Sequence, residues 1–218
     1  IKNDGIIYTK GNSKAIDQLQ NIIILSENFN YNKKLNIINA QKNVEIIDEV
    51  KASKMIGEDV TYKRNIEEIF SKEKTTIFLK KKYKFYSTNV LLNRNKMELS
   101  SFDKSLVLDS ENNKYEFENF IYKINDELLK AYNINVTTNE VHTDEKKDQY
   151  FFSSGFFNFK NQNFTASKTE ITLDKDIFGN PENDPRLYGV NSSKNDNITE
   201  INKGIFTSCK KNDNCPPW

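Results

Sequence analysis

The chain has 218 residues, enough for one or two ordinary domains, and its 32 basic and 31 acidic side chains leave a net charge of +1. That balance excludes a general attraction for nucleic acid or an anionic membrane surface. Hydrophobic residues are 36% and mean hydropathy is -0.74, which suits a thin, repetitive, well-wetted sheet better than a domain with a thick core. No apolar run reaches the roughly 18 residues of a membrane-spanning helix. Asn, Lys and Ile abound while arginine occurs only at Arg64, Arg94 and Arg186. We read this as a bias toward AT-rich codons, so Asn richness is weak evidence for turns, and the N-x-S/T triplets at Asn163, Asn191 and Asn197 read as chance.

In chain order, a first strand at Ile6-Ile7-Tyr8 precedes four units spaced 31, 30 and 30 residues apart. Each unit begins with a polar turn residue and an apolar one: Asn28-Phe29, Asp59-Val60, Asn89-Val90, Asn119-Phe120. A second apolar residue follows at two (Tyr31, Tyr62, Leu92, Tyr122), and a third lies nine after the first (Ile38, Ile69, Leu99, Leu129). A small residue follows that one at two: Ala40, Ser71, Ser101, Ala131. The period within a unit is that of strands with one buried face, and the period between units is that of a repeat architecture. An elongated β-solenoid or a folded, stacked sheet is predicted for 1–175, a span without proline. Alternation is clearest at Val44–Ile47, Ile77–Leu79, Tyr83–Tyr86, Leu106–Leu108, Tyr115–Phe117 and Tyr150–Phe159. Turns are expected at Tyr62-Lys63-Arg64-Asn65 and Leu92-Asn93-Arg94-Asn95. Ile66–Lys74 has a local helical look, but the strand-like register of the other units overrides it.

A charged insertion (His142–Gln149) precedes a fifth unit near Phe157–Leu173 that fits only with a slip of a residue or two. From Asp176 the chain is rich in Gly, Pro and turn dipeptides, so 176–218 reads as an ordered connector with a last strand at Ile205-Phe206-Thr207-Ser208. No leader is visible before Ile1, and both ends read as cuts through a longer precursor.

Candidate chemistry is sparse. His142, the single histidine, stands among charged residues; a metal or acid–base role needs convergent partners, and it reads as a solvated side chain. Asp174, Asp176, Glu182 and Asp184 lack the alternation of a calcium loop. The lysine run Lys80–Lys84 reads as a solvent face that resists edge-to-edge association. No phosphate loop, nucleophile elbow or zinc spacing occurs, so neither a cofactor nor a metal is expected.

The ending INKGIFTSCKKNDNCPPW (201–218) carries a polar turn, an FTSC strand end, a short polar loop and a Trp. It resembles the junction between the periplasmic domain and the β-barrel of the outer-membrane lipopolysaccharide-assembly family (LptD/OstA, the organic solvent tolerance proteins). Upstream, a tyrosine-led strand, the Asn43-Val44-Glu45-Ile46 step and the next Tyr62 are similar to the OstA-type repeat. The resemblance spans nearly the whole chain. Lys42 stands where the family often has Gly.

That resemblance implies an all-β, stacked-strand β-jellyroll (β-taco) with an open hydrophobic groove between two sheets. It implies a non-enzymatic role on the periplasmic side of the outer membrane: lipopolysaccharide is taken from a periplasmic bridge protein of the same fold and passed to a barrel plugged by a lipoprotein. Period-two geometry at equivalent positions turns Ile38, Ile46, Ile69, Ile77, Leu99, Val107 and Leu129 to the interior, where the resemblance makes them the lipid-binding groove. Ile6, Ile7 and Tyr8 become a partner edge strand. Cys209 matches the family cysteine that bonds to one beside the far end of the barrel, and a local Cys209–Cys215 disulfide competes with that bond. The alternative is a carbohydrate-active or adhesive β-solenoid. The first form of it needs paired carboxylates at matching positions of neighbouring units, and the aligned units show none. The second needs a filled interior.

Overall fold

The computed structural model describes residues 5–138, 148–173, 175–180, 182–196 and 198–210, with backbone only at Asp176. Among them, strands and two short 3-10 turns account for all regular structure. They divide into two compact units, Ile1–Asp109 with Ile121–Asn125, and Ser110–Phe120 with Asp126–Trp218.

The first unit begins with four long antiparallel strands, β1 (Ile6–Asp17), β2 (Ile22–Asn32), β3 (Ile37–Asp48) and β4 (Ser53–Lys63). The first three change register midway, between Lys10 and Ser13, Leu25 and Asn28, and Gln41 and Val44. After β4 the break is complete. Val60–Lys63 pairs with β5 (Glu68–Ser71), while Ser53–Ile56 pairs with β6 (Thr75–Leu79). One half continues from β5 to β8 (Val90–Asn93) and β9 (Glu98–Ser101). The other continues from β6 to β7 (Tyr83–Ser87) and β10 (Ser105–Leu108). Arg94, at the outer end of the first half, donates hydrogen bonds to Asp48 and to the Gln20 carbonyl at the outer end of the second. The long strands are therefore creased, and the two half-sheets face each other as a wedge. This is the stacked-strand, all-β architecture expected from the repeat.

The repeated residues find their reasons in that wedge. Asn28, Asp59 and Asn89 lie at the crease, where strands resume, rather than in hairpin turns. Asn89 has φ 48°, a left-handed conformation that Asn tolerates better than most residues. The small residues line the inside of the crease, where the sheets converge: Ala40, Ser71 and Ser101 are all buried. A Cβ on Gly57 would stand 2.8 Å from Ser71 Oγ. Corner hydroxyls satisfy one another, Ser71 with Thr75 at 2.6 Å and Ser87 with Ser105 at 2.8 Å. The hairpins repeat as well. Asn36, Glu67 and Met97 end successive turns at φ 54°, 54° and 53°. Each offers its carbonyl to the N–H that opens the next turn, at Arg64, Arg94 and Ile124. As expected, the Ile66–Lys74 stretch is not an α-helix: a 3-10 turn (Arg64–Ile66) leads straight into β5.

β11 (Lys114–Lys123) divides between the two units. The second unit is an antiparallel ladder of β12 (Leu128–Thr137), β13 (Gln149–Asn158), β14 (Asn163–Thr172) and β15 (Arg186–Asn195). Its small residues form one cross-strand row, Ala131–Gly155–Ala166–Ser192. The segment expected to be a connector carries more order than its composition suggests. β15 extends the ladder and pairs with both β16 (Ile198–Asn202) and β17 (Ile205–Thr207). Gly189 hid this strand from a periodicity reading, yet it is required there, because a Cβ would collide with Ile201 Cγ2.

Candidate functional site

The interior of the first unit is built from two continuous cross-strand rows. One half-sheet contributes Tyr31–Ile38–Tyr62–Ile69–Leu92–Leu99. The other contributes Ala15–Ile24–Ile46–Met55–Ile77–Phe85–Val107. Six of the seven expected groove residues therefore stand on two apolar stripes that face inward, and Leu129 is buried in the second unit. Mid-unit these side chains fill the space between the sheets: Ile77, Leu99 and Val107 are 0% exposed. Openings occur elsewhere. In the first unit a cavity of about 320 Å³ is lined by Ile7, Ile24, Phe29, Ile38, Tyr31 and Arg64, among others. In the second unit a cavity of about 190 Å³ is lined by Tyr115, Val136, Tyr150, Phe152, Phe157, Phe159 and Phe164. There Phe152, Phe157 and Phe164 pack mutually with ring centroids 5.2 to 5.4 Å apart. β13 is the strand that the alternation at Tyr150–Phe159 predicts, but strict period two puts Phe152 and Phe157 on opposite faces, whereas both are buried here. Their convergence on one cavity required the register with β14.

Charge is concentrated where the first unit's half-sheets meet at their outer ends. Arg94 is 2% exposed and binds Asp48 Oδ2 through Nε and Nη2 (3.0 and 2.7 Å), Glu67 through Nη1, and the Gln20 carbonyl through Nη2 at 3.0 Å. Tyr62 donates its hydroxyl to Glu67 at 3.0 Å. Burial, with Glu67 beside it, holds the Tyr62 hydroxyl well above the usual phenol range. Lys51 Nζ donates to the Arg94 carbonyl at 2.8 Å. Burial, reinforced by the Arg94 charge, lowers its proton affinity. One repeat earlier, Arg64 Nε donates to Asp17 Oδ2 at 2.7 Å, and its Nη1 to the Tyr31 hydroxyl at 3.2 Å. The hydrogen bond from Arg64 holds the Asp17 carboxyl below its ordinary range against the opposing effect of burial.

These clusters add to one sequence reading, which compared only the four units from Asn28 onward. Matched carboxylates do exist: Asp17 and Asp48 occupy equivalent, inward-facing positions on neighbouring repeats. They end the strands instead of lying on the aligned core pattern, so the comparison of apolar positions passed over them. Each is committed to an arginine. Among the described residues no group of histidine, cysteine and carboxylate side chains could hold a metal ion. His142 and Cys215 lie outside the described residues. Cys209 is half-buried with a free thiol, and its carbonyl accepts a hydrogen bond from Arg186. Ile7 and Tyr8 are 40% and 68% exposed on β1, and Ile6 is half-buried. Lys80–Lys84 forms a hairpin whose Lys84 stands over the Phe78 and Tyr86 rings at 5.4 and 4.8 Å. No described helix is long and apolar enough to cross a membrane.

The molecule is thus an all-β protein of stacked, creased hairpins with an apolar interior, as its own strand pairing shows. No family model matches the chain, and no curated protein matches it. Among solved structures it is similar to LptH of Pseudomonas aeruginosa, the LptA-homologous periplasmic component of the lipopolysaccharide transport device. The TM-score is 0.43 with 16% identity, covering 62% of this chain and 95% of that one.

Proposed function

We propose that this chain is a non-enzymatic lipid carrier, a periplasmic module of lipopolysaccharide transport. It receives the lipid from a bridge protein of the same fold and delivers it to an outer-membrane barrel. The observation that supports this most is the pair of facing apolar rows running from strand to strand through the first unit. Such a stripe suits several acyl chains at once, because each buried methylene contributes about 0.8 kcal/mol. The closely packed centre requires the half-sheets to spread as chains enter, so loading begins at the openings, by Ile38 in the first unit and by Phe152 and Phe164 in the second. β1 is the edge that accepts a strand from the bridge protein, and Cys209 is the point of covalent attachment to the barrel.

A photo-crosslinker at Phe164, Ile77 or Leu99 is expected to capture lipopolysaccharide in cells, and one at the outward Lys104 is not. Capture from Lys104 alone would reverse the assignment. The filled centre, with Ile77, Leu99 and Val107 shut off from solvent, favours a second reading: an adhesive solenoid with a permanently closed interior. That reading predicts no lipid at any of the inner positions.

A further inference from the structure

We infer that the Arg64 cluster is a binding site for the anionic head of an amphiphile whose tail occupies the adjoining cavity. The inference rests on the lipid-carrying reading above and names the chemical group recognised. Its ground is a comparison of two clusters within one unit. Asp17, Tyr31, Asn36 and Arg64 stand 30 or 31 residues before Asp48, Tyr62, Glu67 and Arg94 respectively. Three members are conserved in type. The fourth differs, because the neutral amide of Asn36 stands where Arg94 has a second carboxylate.

The consequence is visible in the hydrogen bonds. Arg94 uses Nε, Nη1 and Nη2, and its side chain is 2% exposed. Arg64 uses Nε and Nη1 only, its Nη2 has no partner among the described residues, and its side chain is 28% exposed. Tyr31 donates to Asn36 Oδ1 at 3.0 Å, as Tyr62 does to Glu67, but Arg64 Nη1 turns to the Tyr31 hydroxyl where Arg94 Nη1 binds the Glu67 carboxylate, so Arg64 has one anionic partner fewer. Beside Arg64 lies the cavity of about 320 Å³, in the range of small-ligand pockets. Ile7, Ile24, Phe29 and Ile38 give it apolar walls. Lys14 and Arg64 outnumber Asp17 there, which leaves an excess positive charge. Thr9, also in its lining, buries a hydroxyl oxygen with no hydrogen-bond partner. A phosphate or carboxylate oxygen would give Arg64 Nη2 the acceptor it lacks, and give Arg64 a second anionic partner as Glu67 is to Arg94, in the charge-assisted geometry that guanidinium favours.

The test is calorimetric titration of the full chain with dodecyl phosphate, dodecyl maltoside and inorganic phosphate. Dodecyl phosphate is expected to bind about tenfold or more tightly than either of the others. Asn36→Glu installs the missing carboxylate on a backbone that already carries Glu at the equivalent position, φ 54° at both. It is expected to weaken dodecyl phosphate binding about tenfold, as is Arg64→Gln. Equal affinity for dodecyl phosphate and dodecyl maltoside, equal affinity for inorganic phosphate, or an Asn36→Glu variant that binds like the parent would each overturn the site. If that happens while Phe164 still captures lipopolysaccharide, the site fails and the carrier reading stands. Selective dodecyl phosphate binding without capture at Phe164, Ile77 or Leu99 leaves the site and removes the carrier reading.

Discussion

Arg94 ties two sets of turns together at one buried point, and its value to the fold depends on every partner being present. Replacing it with Met leaves Asp48 and Glu67 as buried carboxylates without their hydrogen-bonded counter-charge, with only Lys51 nearby, a change that costs about 3–5 kcal/mol. Urea unfolding of Arg94→Met is expected to show a loss of that size. Adding Asp48→Leu and Glu67→Met should recover part of it, since no buried carboxylate is then orphaned, while Lys51 loses its acidic neighbours and the Tyr62 hydroxyl its acceptor. If the triple variant is no more stable than the single one, the cluster is not held by pairing. The arginines were visible in the sequence as rare residues at the same point of two predicted turns. Their acid partners were not, because Asp17 and Asp48 approach them only after the strands crease.

At the scale of the element, the turns carry the repeat in their backbone as much as the strands carry it in their side chains. Ala52 closes the β3–β4 hairpin at φ 48°, is exposed, and accepts the Lys80 N–H through its carbonyl at 3.0 Å. A non-glycine residue in this region is strained by roughly 1–2 kcal/mol. Glycine relieves that strain but adds about 0.5–1 kcal/mol of unfolded-state entropy. Ala52→Gly is therefore expected to raise stability by about 0.5 kcal/mol, measured as a higher urea midpoint with an unchanged slope; a lower midpoint would refute the account. The strands themselves were legible from alternation, and the 30-residue register correctly overrode the helical look of Ile66–Lys74. The crease was read as a series of turns, because the same Asn-plus-apolar step marks a hairpin and a bend alike until strand pairing distinguishes them.

At the scale of the whole molecule, the proposed carrier has to join partners at its edges. Ile7 lies on β1 opposite Tyr31 of β2, and Pro there removes one backbone donor. Ile7→Pro is expected to keep the far-ultraviolet circular dichroism of the parent while weakening association with a bridge protein of the same fold. Unchanged association would place the junction elsewhere. Cys209 follows β17, and the proposed disulfide from it to a cysteine of the barrel would stabilise this module by about 2–4 kcal/mol. Under that proposal, peptide mapping of the protein joined to its barrel and oxidised is expected to find Cys209 in that bond. Finding only Cys209–Cys215 would defeat the long-range link.

Taken alone, the order of residues determined the all-β class, the repeat length and the inward set from Ile38 to Val107. Period-two alternation and a fixed spacing are local properties that the chain carries before it folds. Tertiary structure decided the rest. Creasing each strand placed Arg64 against Asp17 and Arg94 against Asp48, 47 and 46 residues away in sequence. It closed the centre of the first unit's apolar rows and left an opening by Ile38, while the β13–β14 register gathered Phe152, Phe157 and Phe164 around the second unit's cavity. Those outcomes depend on which strand faces which across the wedge, and that pairing is settled by packing between residues far apart in the chain.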